Sequence, residues 1–248
     1  MTDTHGSSVP FHRLLGVETR KLFDTRSAKV MTLVLAGLTV AAITARGVEA
    51  GPRPQTLAGT AGVGFGTLLP ILGILTVTGE WSHRTNLTTF TLEPRRHRVS
   101  AAKCLPPLIT AVAASLFALL VTVPVTIVVA RVENAPADWN FGPLAMLGWT
   151  ATNVLMVAMG LAIGMLLLNA PASIVCYLST PALGNLVGHL GGTGELLVRW
   201  LDPNTTIGPL AKGDMSGPDA ARLGVSIIFW IVMPMTAGLI RTIRKEAN

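Results

Sequence analysis

Of the 248 residues in the chain, 50% are hydrophobic and only 13% are charged, against about 25% charged in an ordinary soluble domain. The formal net charge of +6 does not indicate a nucleic-acid partner, because Lys and Arg flank apolar blocks instead of following a helix face or an aromatic-rich sheet. The two cysteines, Cys104 and Cys176, provide neither a disulfide framework nor a metal-ligand spacing. This composition indicates an integral membrane protein.

Six apolar runs without Asp, Glu, Lys or Arg follow one another along the chain. A hydrocarbon core about 30 Å thick needs roughly 17 to 25 residues of helix. The predicted spans are 30–45, 57–79, 104–130, 141–168, 172–190 and 223–240. The first lacks a convincing cleavage site after it, so we expect a retained membrane helix and not a signal peptide. Backbone groups in lipid must be satisfied within the segment, so the predicted fold is all-α, a single six-helix transmembrane domain over residues 1–248.

The basic residues are distributed unequally between the two sides of these spans. Thirteen of the 19 Lys and Arg residues fall on the side that holds both termini, and six fall on the other. The positive-inside rule then places both termini, and the segment 80–103 between the second and third spans, in the cytoplasm.

An amphipathic segment precedes the first span. Phe11, Leu14, Leu15 and Leu22 recur at helical spacings among basic residues, which favours a helix lying on the inner membrane surface. The alternative is a basic flank that only sets the topology.

The segment after the second span carries the most distinctive charges. Glu80 lies at the lip of that span, and Arg84, four residues later, is its predicted partner on one helix face. The basic residues around them would suit docking of an acidic or nucleotide-bearing partner. The alternative is a solvated loop whose charges only fix the topology.

Two connections in the second half of the sequence differ in length. Asn169-Ala170-Pro171 predicts a tight hairpin between the fourth and fifth spans. The connection 191–222 is expected outside the cell, with Leu196, Leu197, Trp200 and Leu201 on a short interfacial helix.

Residues inside the spans favour packing over chemistry. Pro70, Pro124 and Pro234 should each remove a backbone donor and kink a helix, and the glycines of the spans should allow close helix contact. Asn153, Asn185 and His189 are expected to make interhelical hydrogen bonds more readily than to bind a metal or a proton.

The ATP-binding signature G-x-x-x-x-G-K-[ST] is absent from the sequence, and the glycine-rich stretch 59–66 lacks its Lys. We therefore expect no ATP hydrolysis and no catalytic residues in this chain.

Short motifs occur in an order that resembles the type 2 ABC transporter permease family. They are Glu18-x-x-Lys21-Leu22, Glu80-Trp81-x-x-Arg84-Thr85, Pro94-x-Arg96 and Ala102-Lys103. The resemblance extends over the whole chain, and the external connection is similar to the family's re-entrant element before the last helix.

The resemblance implies a half-transporter that pairs with a second permease copy or paralogue and with cytoplasmic ABC ATPase subunits, which would bind ATP and Mg. It places a coupling helix around residues 80–98 and an interfacial connecting helix over residues 11–26. The implied ATPase-docking residues are Glu18, Lys21, Glu80, Arg84, Thr85, Pro94, Arg95, Arg96 and Lys103. The implied location is the bacterial inner membrane, with lipid around the spans and no cofactor in the chain itself.

Two other functions remain open at this point. An ion-coupled carrier would need ionisable groups near the bilayer midplane, where this sequence has none. A non-transporting scaffold would use the segment 80–98 only to recruit a cytoplasmic enzyme. The uncharged spans favour an amphipathic or lipid-like cargo if the protein is an exporter.

Overall fold

A computed structural model describes residues 11–24, 26–82 and 96–245, and those residues form helices and no strands. The all-α prediction is confirmed. The helices are α1 Phe11–Asp24, α2 Arg26–Ala50, α3 Pro54–Ser82, α4 Arg96–Val132, α5 Pro143–Leu167, α6 Ala170–Gly188, α7 Gly192–Leu201, α8 Pro203–Lys212, α9 Gly217–Ile227 and α10 Met233–Lys245, with a π-helical turn Ile228–Val232 between the last two.

Five segments within the described residues are long and apolar enough to cross a membrane. They are Thr32–Ala50, Pro54–Gly79, Ala101–Val132, Pro143–Leu167 and Gly217–Arg241. The sixth predicted span, 172–190, corresponds to α6, which is a 19-residue helix but is not among the five. Pro, Ser, Thr and Asn residues lower its apolarity. By length and composition these five candidate spans indicate a multi-pass membrane protein, and the count of six stays a prediction.

The observed helices also run past several predicted limits. The first candidate span ends at Ala50 and not at Ala45, because the charge of Arg46 does not end the helix. The Arg46 guanidinium lies 3.2 Å from the Glu49 carboxylate one turn later, so the two charges partly neutralise each other at the helix end.

The centre of the bundle is the contact between α3 and α5, which run in the same direction. A methyl group at Gly160 would lie 2.7 Å from the Pro70 carbonyl oxygen, and one at Gly164 would lie 2.7 Å from a Val77 methyl. Only glycine leaves room for helices this close, so the packing role predicted for these two glycines is confirmed. α4 packs on the same pair, where the buried Asn153 amide donates to Ser115 Oγ at 3.1 Å.

Pro70 interrupts the backbone hydrogen bonding of α3 inside this core. Proline has no N–H, so the Gly66 carbonyl, four residues earlier, loses its helical donor. The Tyr177 hydroxyl on α6 donates to that carbonyl at 2.5 Å. α6 is thereby attached to α3 by a hydrogen bond that exists because Pro70 interrupts the ladder.

The contacts give the bundle two distinguishable ends. Cys104 on α4 lies 3.8 Å from Met165 on α5, and Arg241 on α10 donates to the Leu166 carbonyl at 2.7 Å. The starts of α2 and α4, the ends of α3, α5 and α10, and α1 therefore share one end, which we call the α1 end. α7, α8 and the start of α5 lie at the opposite end.

Two short helices close the opposite end, where the sequence predicts an external excursion. The predicted helix around Leu196–Leu201 is confirmed as part of α7. A methyl group at Gly148 on α5 would overlap the Leu210 carbonyl oxygen on α8, so α8 packs directly on the start of α5. The Trp230 indole, in the π-helical turn between α9 and α10, donates to the Leu201 carbonyl at 2.6 Å and thereby connects α7 to that turn.

The predicted tight hairpin between α5 and α6 is confirmed. Leu168 adopts a left-handed conformation with φ of 53° and its N–H bonds to the Gly164 carbonyl. The Asn169 side chain then accepts from the Ala172 N–H at 3.1 Å and caps α6. Two residues are enough to reverse the chain.

Candidate coupling end of the bundle

The α1 end brings together the starts and ends of helices that carry the predicted docking residues. Glu18 and Lys21 lie on α1, Arg96 is the first residue of α4, and Lys103 lies two turns further along α4. α3 ends at Ser82, just after Glu80. Arg84, Thr85, Pro94 and Arg95 lie outside the described residues, so the predicted Glu80–Arg84 pair is not tested.

α1 has two different faces. Its inner face, formed by Phe11, Leu15 and Glu18, is buried or half-buried, whereas Arg13 and Arg20 on the other face are exposed. The helix packs mainly on α4 and also contacts α2. The amphipathic helix predicted before the first span is confirmed, and its basic side remains accessible.

Glu18 is unusual because it is a carboxylate on the inner face. It is only 4% exposed, and it is not an unpaired charge. Burial of a lone carboxylate is costly, so this environment fixes the rotation of α1 against the bundle. Lys103 on α4 is half-buried and also has a partner.

In the part of the chain that the structure describes, the fully buried side-chain nitrogen and oxygen atoms all have hydrogen-bond partners. The Asn153 amide donates to the Trp149 carbonyl of its own helix at 3.1 Å and to Ser115 Oγ on α4, and the second bond confirms the interhelical role predicted for Asn153. Asn185 and His189 are both exposed on the helical surface of α6 and the turn after it. Within the residues that the structure describes, His, Cys, Asp and Glu form no group of three that could hold a metal ion.

Two apolar cavities lie along α4. One, of about 430 Å³, is bordered by α2 between Thr32 and Thr39, by α3 between Phe65 and Leu72, and by α4 between Ile109 and Phe117. The other, of about 590 Å³, lies nearer the opposite end, between α4 and the loop that carries Trp139. Phe117 lines both.

Sequence reasoning missed Tyr177 and Arg241. The signal for Tyr177 is Pro70, which leaves one carbonyl in a buried helix in need of a donor, and the chain contains a single Tyr. Arg241 bonds to the last turn of α5, which only the packing of α10 reveals.

No family model matches the chain, and no curated protein matches it either.

Proposed function

We propose that this chain is the membrane-spanning permease subunit of an ATP-driven exporter, of the type 2 ABC kind, whose ATPase is a separate cytoplasmic polypeptide. In this proposal α6 crosses the membrane as the sixth span, both termini are cytoplasmic, and the membrane is the bacterial inner membrane. A second permease copy or paralogue completes the complex, and α7 and α8 form the external, re-entrant element.

The observation that carries the proposal is the placement of α1. A helix with an accessible basic face is packed on the start of α4, at the end of the bundle where the segment 83–95 joins α3 to α4. A partner that docks there would contact α1 and that segment together. Movement of the partner would then be passed to α3 and α4 through the two ends of the segment.

The charge distribution supports the orientation. By sequence, the segments at the α1 end hold 13 basic and six acidic residues, and those at the opposite end hold six basic and seven acidic residues. A basic end facing the cytoplasm agrees with the positive-inside rule. It also suits attraction of an acidic protein surface.

The proposed mechanism is alternating access driven from outside the chain. ATP would close the ATPase dimer, the segment between α3 and α4 would move with it, and the permease halves would rock about their interface. The uncharged helices would present an amphipathic or lipid-like cargo with an apolar route.

The test is purification of the tagged chain from its native membrane in mild detergent. An ATPase subunit should co-purify in stoichiometric amount and hydrolyse ATP. Replacing Arg13 and Arg20 with Gln should reduce the recovered ATPase several-fold, because both side chains are exposed on α1. The matched control replaces Arg53 and Arg199, which are exposed at the opposite end, and should leave recovery unchanged.

A chain that purifies without an ATPase would overturn the proposal. Recovery with a non-ATPase enzyme would favour the scaffold function, and recovery alone would favour an ion-coupled carrier.

A further inference from the structure

The cavity of about 430 Å³ between α2, α3 and α4 has a location that restricts what can fill it. Its walls belong to three segments that are long and apolar enough to cross a membrane. The surrounding solvent is therefore hydrocarbon, and a crevice of this size with an almost entirely apolar lining does not hold water.

The hydroxyl groups in the lining of the cavity already have partners within the protein. The three threonines of the lining are Thr32, Thr39 and Thr110. The Thr39 hydroxyl donates to the Leu35 carbonyl at 2.7 Å, and the Thr110 hydroxyl donates to the Pro106 carbonyl at 2.8 Å. Thr32 also has a partner. Polar atoms of a ligand would gain no hydrogen bonds from this lining. The ligand should therefore be a saturated or lightly unsaturated hydrocarbon chain.

The length of the cavity suits one acyl chain. The stretch of α4 that borders it, Ile109 to Phe117, is about 12 Å long at 1.5 Å per residue. One leaflet, half of a hydrocarbon core about 30 Å thick, is about 15 Å deep. The cavity therefore extends over most of one leaflet, which is the depth that a single acyl chain occupies.

A positive charge lies above the cavity on the same face of α2. Lys29, Thr32, Ala36 and Thr39 follow at spacings of three and four residues, so they lie in one row. The Lys29 side chain is 62% exposed and lies 3.5 Å from the exposed Asp24 carboxylate, a kind of ion pair that contributes little. The row therefore presents a cation at the level of the lipid headgroups and an apolar crevice about one to three turns deeper.

We infer that this row is a binding site for an anionic phospholipid of the leaflet at the α1 end, with one acyl chain in the cavity and the phosphate at Lys29. The inference does not depend on transport or on an ATPase. Phe117 closes the deep end of the site and separates it from the second cavity along α4.

The test uses the purified full chain in nanodiscs that contain phosphatidylglycerol with a photoactivatable group on one acyl chain. The crosslinks, mapped by mass spectrometry, should concentrate in residues 32–39, 65–72 and 109–117. Ala36→Phe should fill the cavity and lower this labelling about tenfold, since overpacking the occupied site is unfavourable. Ala36→Leu is the milder variant should Phe disturb folding.

Ala41→Phe on the same helix is the matched control, because Ala41 is exposed and does not line the cavity. Its labelling should equal that of the unmodified chain. Lys29→Gln should lower labelling by phosphatidylglycerol about fivefold, the effect of one basic residue at a membrane surface, and should not change labelling by a matched phosphatidylcholine probe.

Two results would overturn the inference. Labelling spread evenly over exposed residues outside these three stretches, such as Leu120 and Leu147, and insensitive to Ala36→Phe, would indicate bulk lipid only. Crosslinks between the α2 helices of two chains through the cavity would assign it to a second copy instead.

Discussion

Tyr177 and Pro70 show how one residue creates a requirement that another fulfils. The Tyr177 hydroxyl bonds to the Gly66 carbonyl, whose helical donor Pro70 removes. The Thr180 hydroxyl does the same within α6, where it donates to the Tyr177 carbonyl at 2.7 Å in place of the N–H that Pro181 lacks. Both carbonyls would otherwise be unsatisfied in hydrocarbon.

We predict that Tyr177→Phe lowers the free energy of unfolding by about 1–2 kcal/mol, the range measured for hydrogen bonds within membrane bundles and for unsatisfied buried groups. The sharp control is the same substitution in a Pro70→Ala background, where the introduced alanine has an N–H that restores the helical bond. There the loss should be smaller, as measured by thermal denaturation in detergent. Equal losses in both backgrounds would mean that Tyr177 acts through packing alone.

Gly160 gives a second prediction at this scale. Gly160→Ala places a methyl group 2.7 Å from the Pro70 carbonyl oxygen, so α3 and α5 must separate, at a cost of about 1–3 kcal/mol. Gly64→Ala, on α3, is the control, because a methyl group there meets nothing within 4 Å. It should be neutral or slightly stabilising, since alanine favours the helix. Similar melting temperatures for the two variants would contradict the close contact.

Helix elements were predictable from the sequence to very different degrees. α3, α4 and α5 each contain a long uncharged run, and their existence follows from hydropathy alone. α6 was predicted as a helix correctly, but its polar residues leave it below the apolarity of the other spans, and only its contacts with α3 show how it is held.

The candidate site is harder to predict than the fold. The amphipathic pattern of α1 indicated a helix, but it did not indicate that Glu18 faces inward, since a carboxylate in a sequence normally marks an exposed face. The pairing of Glu80 with Arg84 follows from i, i+4 spacing only if the helix continues to residue 84, and α3 is described only to Ser82. The i, i+4 spacing in the sequence does not by itself show that the helix continues to residue 84.

For single helices, the prediction concerns how α10 is attached to α5. Arg241→Gln removes the bond from the charged guanidinium to the Leu166 carbonyl, and bonds from charged donors are stronger than neutral ones. We expect faster hydrogen exchange in residues 234–245, by about tenfold if the bond contributes near 1.4 kcal/mol. Arg241→Lys, which keeps a charged donor, should show a smaller increase. A methyl group at Gly238 would lie 2.6 Å from the Met165 backbone, so α10 also packs closely on α5. Identical exchange in all three proteins would show that this packing holds the helix without the Arg241 bond.

At the scale of the whole molecule, the number of membrane crossings depends on α6. The arrangement of the helices, with α1 and the end of α10 at one end of the bundle, fits an even number of crossings. In a background with Cys104 and Cys176 replaced by Ala, we predict that a single cysteine at Glu133 or Leu190 reacts with an impermeant reagent in intact cells. A cysteine at Asp24 or Ala172 should react only after permeabilisation.

All four positions are exposed, so accessibility reports the side of the membrane. Protection of position 190 together with 172 would mean that α6 stays on one side, leaving five spans and an external C-terminus.

The bond between Tyr177 and Gly66 also limits how the bundle can deform. A slide of α6 along α3 by one helical turn, about 5.4 Å, would carry the hydroxyl out of hydrogen-bond range and leave a bare carbonyl in lipid. Gly160 holds α5 against the same stretch of α3, so these three helices should move as one rigid block. The cavity of about 430 Å³ separates residues 32–39 of α2 from α3 and α4, so this part of α2 is packed less closely. We expect movement between α2 and the rigid block to begin along this cavity.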